Sequence, residues 1–261
     1  MKPSRTMPSL FIGHGSPMNA IARNDYTVAL NRLGERLEKP QAVLCVSAHW
    51  QTRGTMVTSA PAPQQIYHFY GFPDELYKVK YSPPGSPQLA EQLKSALADE
   101  RIGFDNGNWG LDHGAWSILL HLFPNAEVPV LQLSLDVEKN PKQHFEFASK
   151  LTELRKNGVL ILGSGNVVHN LRTISWNEKA APEEWANSYH EWVKQNVLKR
   201  NWNPLIDSFL SVENGRLAVP TTEHYLPLLY CLGSALPEDK PRIIFDQIQN
   251  ATISMLSVAL E

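Results

Sequence analysis

Five histidines fall where a folded chain could bring them together. They are His14 in Gly13-His14-Gly15-Ser16-Pro17, His49 in Ser47-Ala48-His49-Trp50, His113 in Asp112-His113-Gly114, His169 in Val167-Val168-His169-Asn170, and His224 in Glu223-His224-Tyr225. Neutral imidazole is the commonest protein metal ligand, and three or four convergent ring nitrogens suit zinc or iron(II). The spacing matches no local motif such as H-E-x-x-H, in which one helix face supplies two ligands. Any shared metal would therefore be held from distant segments. A lone histidine after a strand is ordinarily a hydrogen-bonded turn residue. The weight lies in several of them arriving at element ends together.

The elements that must position them are visible as patterns. Short apolar runs at residues 10–12, 42–46, 128–133 and 159–162 read as buried strands. Helical patterns fall between them, at 26–37, 114–122, 142–156 and 182–198. Another opens at Ser86-Pro87, with the serine as N-cap and the proline in the first helical position. Residues 252–260 read as a closing strand. Strands alternating with helices imply one α/β domain over residues 1–261, with a mostly parallel sheet. Ligands in such folds bind beyond the carboxyl ends of the strands. His14, His49 and His169 each follow a predicted strand, so all three are expected at one edge of the sheet. His224 is expected at the start of a helix.

Composition narrows the classes. Net charge is -2, with no basic stripe for a nucleic acid. No apolar run reaches the roughly 18 residues of a membrane span. Met1-Lys2-Pro3-Ser4-Arg5 lacks the apolar stretch of a secretory leader, which predicts a cytoplasmic protein. Cys45 and Cys231 form no C-x-x-C pair, and Cys45 lies in an apolar run as a small buried hydrophobe. There is no G-x-S-x-G elbow and no Walker A loop. Gly163-Ser164-Gly165 begins like a dinucleotide loop, but Val168 stands where the third glycine belongs. Whether the chain forms a homo-oligomer is open at this level.

The sequence resembles the class III extradiol ring-cleaving dioxygenases, in particular their 4,5-DOPA dioxygenase branch. The resemblance is carried by Gly13-His14-Gly15-Ser16-Pro17, Ser47-Ala48-His49-Trp50, His68-Phe69-Tyr70-Gly71-Phe72-Pro73, Asp112-His113-Gly114-Ala115-Trp116, Gly165-Asn166-Val167-Val168-His169-Asn170-Leu171 and Glu223-His224-Tyr225-Leu226-Pro227-Leu228. It implies a mixed central sheet flanked by helices and one divalent metal at the strand carboxyl ends. His14, His49 and His224 would be ligands, and His169 either a further ligand or the acid/base. His113 would face the substrate. The better-known members of the class use two histidines and a carboxylate; here His224 stands in the carboxylate's place, with Glu223 beside it. An all-histidine set suits zinc, whereas dioxygen chemistry calls for iron(II). Zinc is the expected metal of the isolated protein and iron(II) the metal of turnover.

The implied reaction takes a catechol such as DOPA and O2 to a ring-opened seco-DOPA semialdehyde. A neutral histidine would accept a catechol proton, His169 first and His113 second. His68 would either line the pocket or pack against neighbouring aromatics. Trp50 and Trp116 would either stack on the substrate or belong to the core. Arg172 would meet either a substrate carboxylate or a surface acid. His121, His144 and His190 lie in predicted helices and are read as structural or exposed. Two rivals remain: a zinc hydrolase with Glu223 or Asp112 as base, and a non-enzymatic metal-binding relative of the fold.

Overall fold

Continuous apolar strands need cover on both faces, and four strands here have it. The computed structural model describes residues 6–261; the expected leaderless stretch Met1–Arg5 lies outside them. β1 (Ser9–Gly13), β2 (Ala42–Thr52), β5 (Val130–Asp136) and β6 (Val159–Gly165) lie in the order β5-β2-β6-β1, every pair parallel. β3 (Met56–Val57) and β4 (Gly103–Phe104) extend the sheet on one side; β7 (Pro241–Phe245) and β10 (Ser257–Leu260) extend it on the other. The β3–β5, β1–β10 and β7–β10 contacts are antiparallel, so the eight-stranded sheet is mixed and mostly parallel. A separate two-stranded ribbon joins β8 (Ile248–Gln249) to β9 (Ile253–Ser254).

Side chains alternate across a strand, and the two apolar clusters follow that alternation. Leu44 and Val46 point into one, Val43 and Cys45 into the other. α1 (Asp25–Arg36), the short α2 (Asp74–Tyr77) and α4 (His113–Leu122) contribute to the second cluster, and α3 (Pro87–Ala96) to the first. α5 (Pro141–Ser149) and α10 (Leu226–Gly233) pack together over the first. α6 (Thr152–Lys156), α7 (Glu184–Leu198), α8 (Asn203–Asp207) and α9 (Gly215–Ala218) complete the single α/β domain. Ser86 caps α3 as its sequence predicts, accepting from Leu89 N at 3.3 Å. No helix among the described residues is long and apolar enough to cross a membrane.

Several expected boundaries shift. The helix expected at 142–156 breaks into α5 and α6. Its turn tightens through Lys150 N to Phe147 O and Leu151 N to Ala148 O, which drops Leu151 into the core. The closing strand divides into β9 and β10. β6 runs on through Gly163-Ser164-Gly165, so those glycines are buried strand and not a phosphate loop. β2 continues to Thr52 with His49 inside it; its pairing with β5 slips between Val46 and Gln51. That irregularity re-aims side chains near the strand end.

Candidate active site

The carboxyl ends of β1, β2 and β6 lie side by side, and backbone bonds draw two further segments onto them. His14 N donates to Gly165 O (3.1 Å), while Asn166 N donates to His224 O (2.8 Å). Gly165 makes the second approach possible, because a Cβ there would collide with the His224 carbonyl. His224 therefore sits beside the strand end, two residues ahead of α10. His169 N donates to Ala218 O (2.9 Å), and the residue bridges Ile253 of β9.

Three imidazoles meet in this space. Ring centroids are 4.8 Å apart for His14 and His49, and 5.3 Å for His14 and His224 and for His49 and His224. Each ring is tethered through Nδ1 by a different acceptor. Ser164 Oγ gives its hydrogen to Gly114 O (2.7 Å), so it must accept from His14 Nδ1–H (3.0 Å). His49 Nδ1–H donates to Asp112 Oδ1 (3.1 Å), and His224 Nδ1–H to Glu223 Oε1 (3.0 Å). These bonds set the tautomer, leaving each Nε2 as a lone pair. One ligand atom from each of the three lies within 4.8 Å of the others, a group that could hold a metal ion. Tethering of the non-ligating nitrogen is the usual way a histidine ligand is oriented.

Asp112 is the most heavily engaged of the tethers. Its Oδ1 also accepts from Ser47 Oγ (2.8 Å) and from Gly114 N (2.8 Å), capping α4, and its Oδ2 accepts from Gln132 Nε2 (2.6 Å). Gly114 is needed beside it, since a Cβ would lie 2.8 Å from Ser47 Oγ and 2.9 Å from His49 Nδ1. Burial alone would raise the Asp112 carboxyl, but the bond from His49 and the neighbouring imidazoles hold it below the usual carboxylate range. Burial also raises Glu223, and the bond from His224 outweighs it and lowers the group. The imidazoles move so as to stay neutral. Burial lowers His14, helped by His49 and His224, and burial lowers His224 despite its Glu223 partner. Neutral imidazole is the form that ligates.

These rings open into a cavity of about 440 Å³ that His68, His113 and His169 also line. His169 lies outside the group of three, stacked face to face on His224 at 3.5 Å and 8°. His113 stacks on His49 (4.0 Å) and meets Phe69 edge-on, with its Nδ1 buried and unpartnered. Burial, and then His49, carries His113 down to about 3. His68 is exposed at the mouth, its ring 5.2 Å from Trp109. Trp50 is buried, stacks on Trp109 at 5.6 Å, and does not line the cavity. Trp116 is core, its Nε1 donating to Ile66 O. Arg172 is exposed and does not line the cavity either.

Residues 9–261 match the family model described as the catalytic LigB subunit of aromatic ring-opening dioxygenase. The chain belongs to that family. It is similar to the 4,5-DOPA dioxygenase extradiol of Escherichia coli (strain K12), 45% identical over 98% of this chain and 96% of that one. It is also similar to the protein of that name from Beta vulgaris, 34% identical over 94% and 93% of the two chains. A crystal structure of an Escherichia coli K12 protein described as uncharacterized superposes with a TM-score of 0.86 at 43% identity, covering 98% and 100% of the chains. This chain is thus an extradiol dioxygenase, an enzyme whose reactants are a small molecule and O2, with a divalent metal implied by its family and its histidines.

Several working parts of this dioxygenase are not apparent from its sequence. Asp112 and Glu223 stand there as bases for a rival hydrolase; in the fold both are taken up as acceptors for histidines. Ser164 carries no sequence signal beyond its place in Gly163-Ser164-Gly165. Asp112 carries one, an acid immediately before a helical pattern.

Proposed function

We propose that this dioxygenase opens the ring of a catechol such as DOPA beside the diol, 4,5-cleavage giving a seco-DOPA semialdehyde. In this reading His14, His49 and His224 hold its metal at the strand carboxyl ends. One observation carries the proposal: three imidazoles, each tethered through Nδ1, converge on one small space with a ligand atom of each within 4.8 Å of the others. Iron(II) bound there would supply the redox chemistry that couples a catechol to dioxygen, while zinc, Zn2+, suits the all-nitrogen set in isolated protein.

The chain's own residues then have defined tasks. Ser164, Asp112 and Glu223 keep the three Nε2 atoms aimed inward. His169, inside the cavity but outside the ligand group, accepts a proton from a catechol hydroxyl at a ring nitrogen and later returns it. His113 is the second candidate, since its Nδ1 has no partner within the protein. His68 meets substrate at the mouth, and Trp50 supports it through Trp109. A cytoplasmic location belongs to the same proposal and is supported by two buried, unpaired cysteines.

The test is oxygen uptake. Protein loaded with iron(II) without oxygen is mixed with oxygenated catechols, DOPA included, and a yellow ring-opened product is expected with stoichiometric O2 consumption. No product from any catechol, with iron occupancy confirmed, removes the proposal.

A further inference from the structure

The cavity is chemically divided. Its floor is histidine; its mouth, beside the exposed His68, is apolar and aromatic, formed by Tyr70, Phe72, Leu171, Ile174 and Trp176. Tyr70 is 90% exposed, Trp176 87% and Leu171 57%. Val28, Val137, Leu198 and Leu217 are the other exposed large apolar residues among those described, and none lines the cavity. The two most exposed hydrophobic side chains thus stand on one opening. Apolar surface concentrated at a site entrance marks what the site receives.

Charge is the second observation. Among the described residues lining the cavity there is no lysine, arginine, aspartate or glutamate. The neutral polar groups are largely engaged: Ser16 Oγ accepts from Met18 N, and Asn250 Nδ2 donates to Ser175 O. An amino-acid side chain brings an ammonium and a carboxylate, and neither finds an opposite charge on these walls. At this open rim such a group keeps its water and gains nothing from the walls, and any part drawn beneath them loses hydration without a partner. An alkyl or aryl group would instead cover the exposed faces of Tyr70 and Trp176.

We propose that the physiological substrate is a catechol bearing an uncharged, apolar or aromatic ring substituent, lodged against Tyr70, Leu171 and Trp176, with zwitterionic DOPA accepted as a poorer substrate. This rests on the catechol reading of the histidine floor. The rim then sets specificity: the diol goes inward to the histidines, and the substituent lies across the mouth.

Three catechols with the same three-carbon chain isolate the charge: 4-propylcatechol, 3-(3,4-dihydroxyphenyl)propionate and DOPA. Zinc-loaded protein kept without oxygen is titrated with each by calorimetry, so binding is read apart from turnover. The expected order is 4-propylcatechol tightest, with Kd about tenfold or more below that of DOPA. Trp176→Ala and Tyr70→Ala, both at exposed positions, should each shrink that ratio severalfold. Arg172→Ala should leave the Kd for DOPA within about twofold. The proposal is overturned if DOPA binds as tightly as 4-propylcatechol, if neither rim variant changes the ratio, or if Arg172→Ala weakens DOPA about tenfold. Oxygen uptake by iron-loaded protein forms a separate arm. No uptake with any of the three, with the binding order intact, removes the dioxygenase reading and leaves the specificity standing. Uptake that favours DOPA through a tighter Kd leaves the reading standing and removes the specificity. Failure of all three to bind overturns both.

Discussion

The histidines form two populations, and they differ in what their ring nitrogens have left to do. At the cavity, His14, His49 and His224 each spend Nδ1 on an acceptor and keep Nε2 free toward the others. On the helices, His190 spends both nitrogens, on Ser254 Oγ (2.9 Å) and Asp246 Oδ1 (2.6 Å). His121 has both against oxygens, Asn19 O and Asn31 Oδ1. His144 pairs Nδ1 with the Tyr230 hydroxyl (2.9 Å) and buries Nε2 alone in the core. His190, Glu191 and Asp246 also lie close enough to bind a metal, but Lys194 Nζ already pairs with both acids there. Residue type is the same in both populations; a metal donor is distinguished by a free nitrogen that converges with others on one space, which the buried Nε2 of His144 does not do.

The sharpest way to break this contrast is to delete one ring from each population. His14→Ala or His49→Ala should lose metal by more than about a hundredfold in affinity, beyond the range of a lost supporting partner. His121→Ala should retain stoichiometric metal. Elemental analysis after dialysis against chelator reads both, and equal retention in His14→Ala and His121→Ala would erase the distinction. Next in size is His169→Gln, which should keep the metal and lower kcat roughly 10²- to 10⁴-fold, the range of a removed general base. Loss of metal in that variant would move His169 into the ligand set.

Tethers can be tested without touching a ligand. Asp112→Asn keeps the shape but removes the charge that His49 Nδ1–H points at, and metal affinity should fall about 10- to 100-fold. An unchanged affinity would show that the charge of Asp112 contributes nothing to holding His49. The remaining test concerns the structural population. Burial, with Lys139 adding to it, lowers His144 from 6.5 to about 4. Between those values the unfolded chain binds a proton that the folded chain refuses, so stability falls as pH drops from about 6.5 to about 4, by up to about 3 kcal/mol. Denaturant unfolding of His144→Leu should show a shallower loss across that window, whatever its absolute stability. An identical slope would assign the acid sensitivity to other groups.

Much of the scaffold is legible because local chemistry dictates it. Ser86-Pro87 opens α3, and the apolar runs at 42–46 and 159–162 become strands buried on both faces. His49 shows where legibility stops. The apolar pattern ends at Val46, yet β2 continues to Thr52, because pairing with β5 resumes at Gln51 after a slip. Trp50 has the composition of a ring-stacking residue, but its stacking partner is Trp109, and the two lie far apart in sequence.

By itself the sequence determined the alternation of strands and helices, the parallel central strands, and the motifs that place His14, His49, His169 and His224 among ring-cleaving dioxygenases. Those features follow from apolar periodicity, capping residues and short contiguous motifs. Tertiary structure alone decided which nitrogen of each ring is free. The partners that fix it lie 150 residues away for His14 and 63 for His49, and no spacing along the chain reports them. It also decided that Asp112 and Glu223 orient histidines and that Tyr70 and Trp176 share one opening. Those relations arise only when loops from separate strands pack at a common sheet edge.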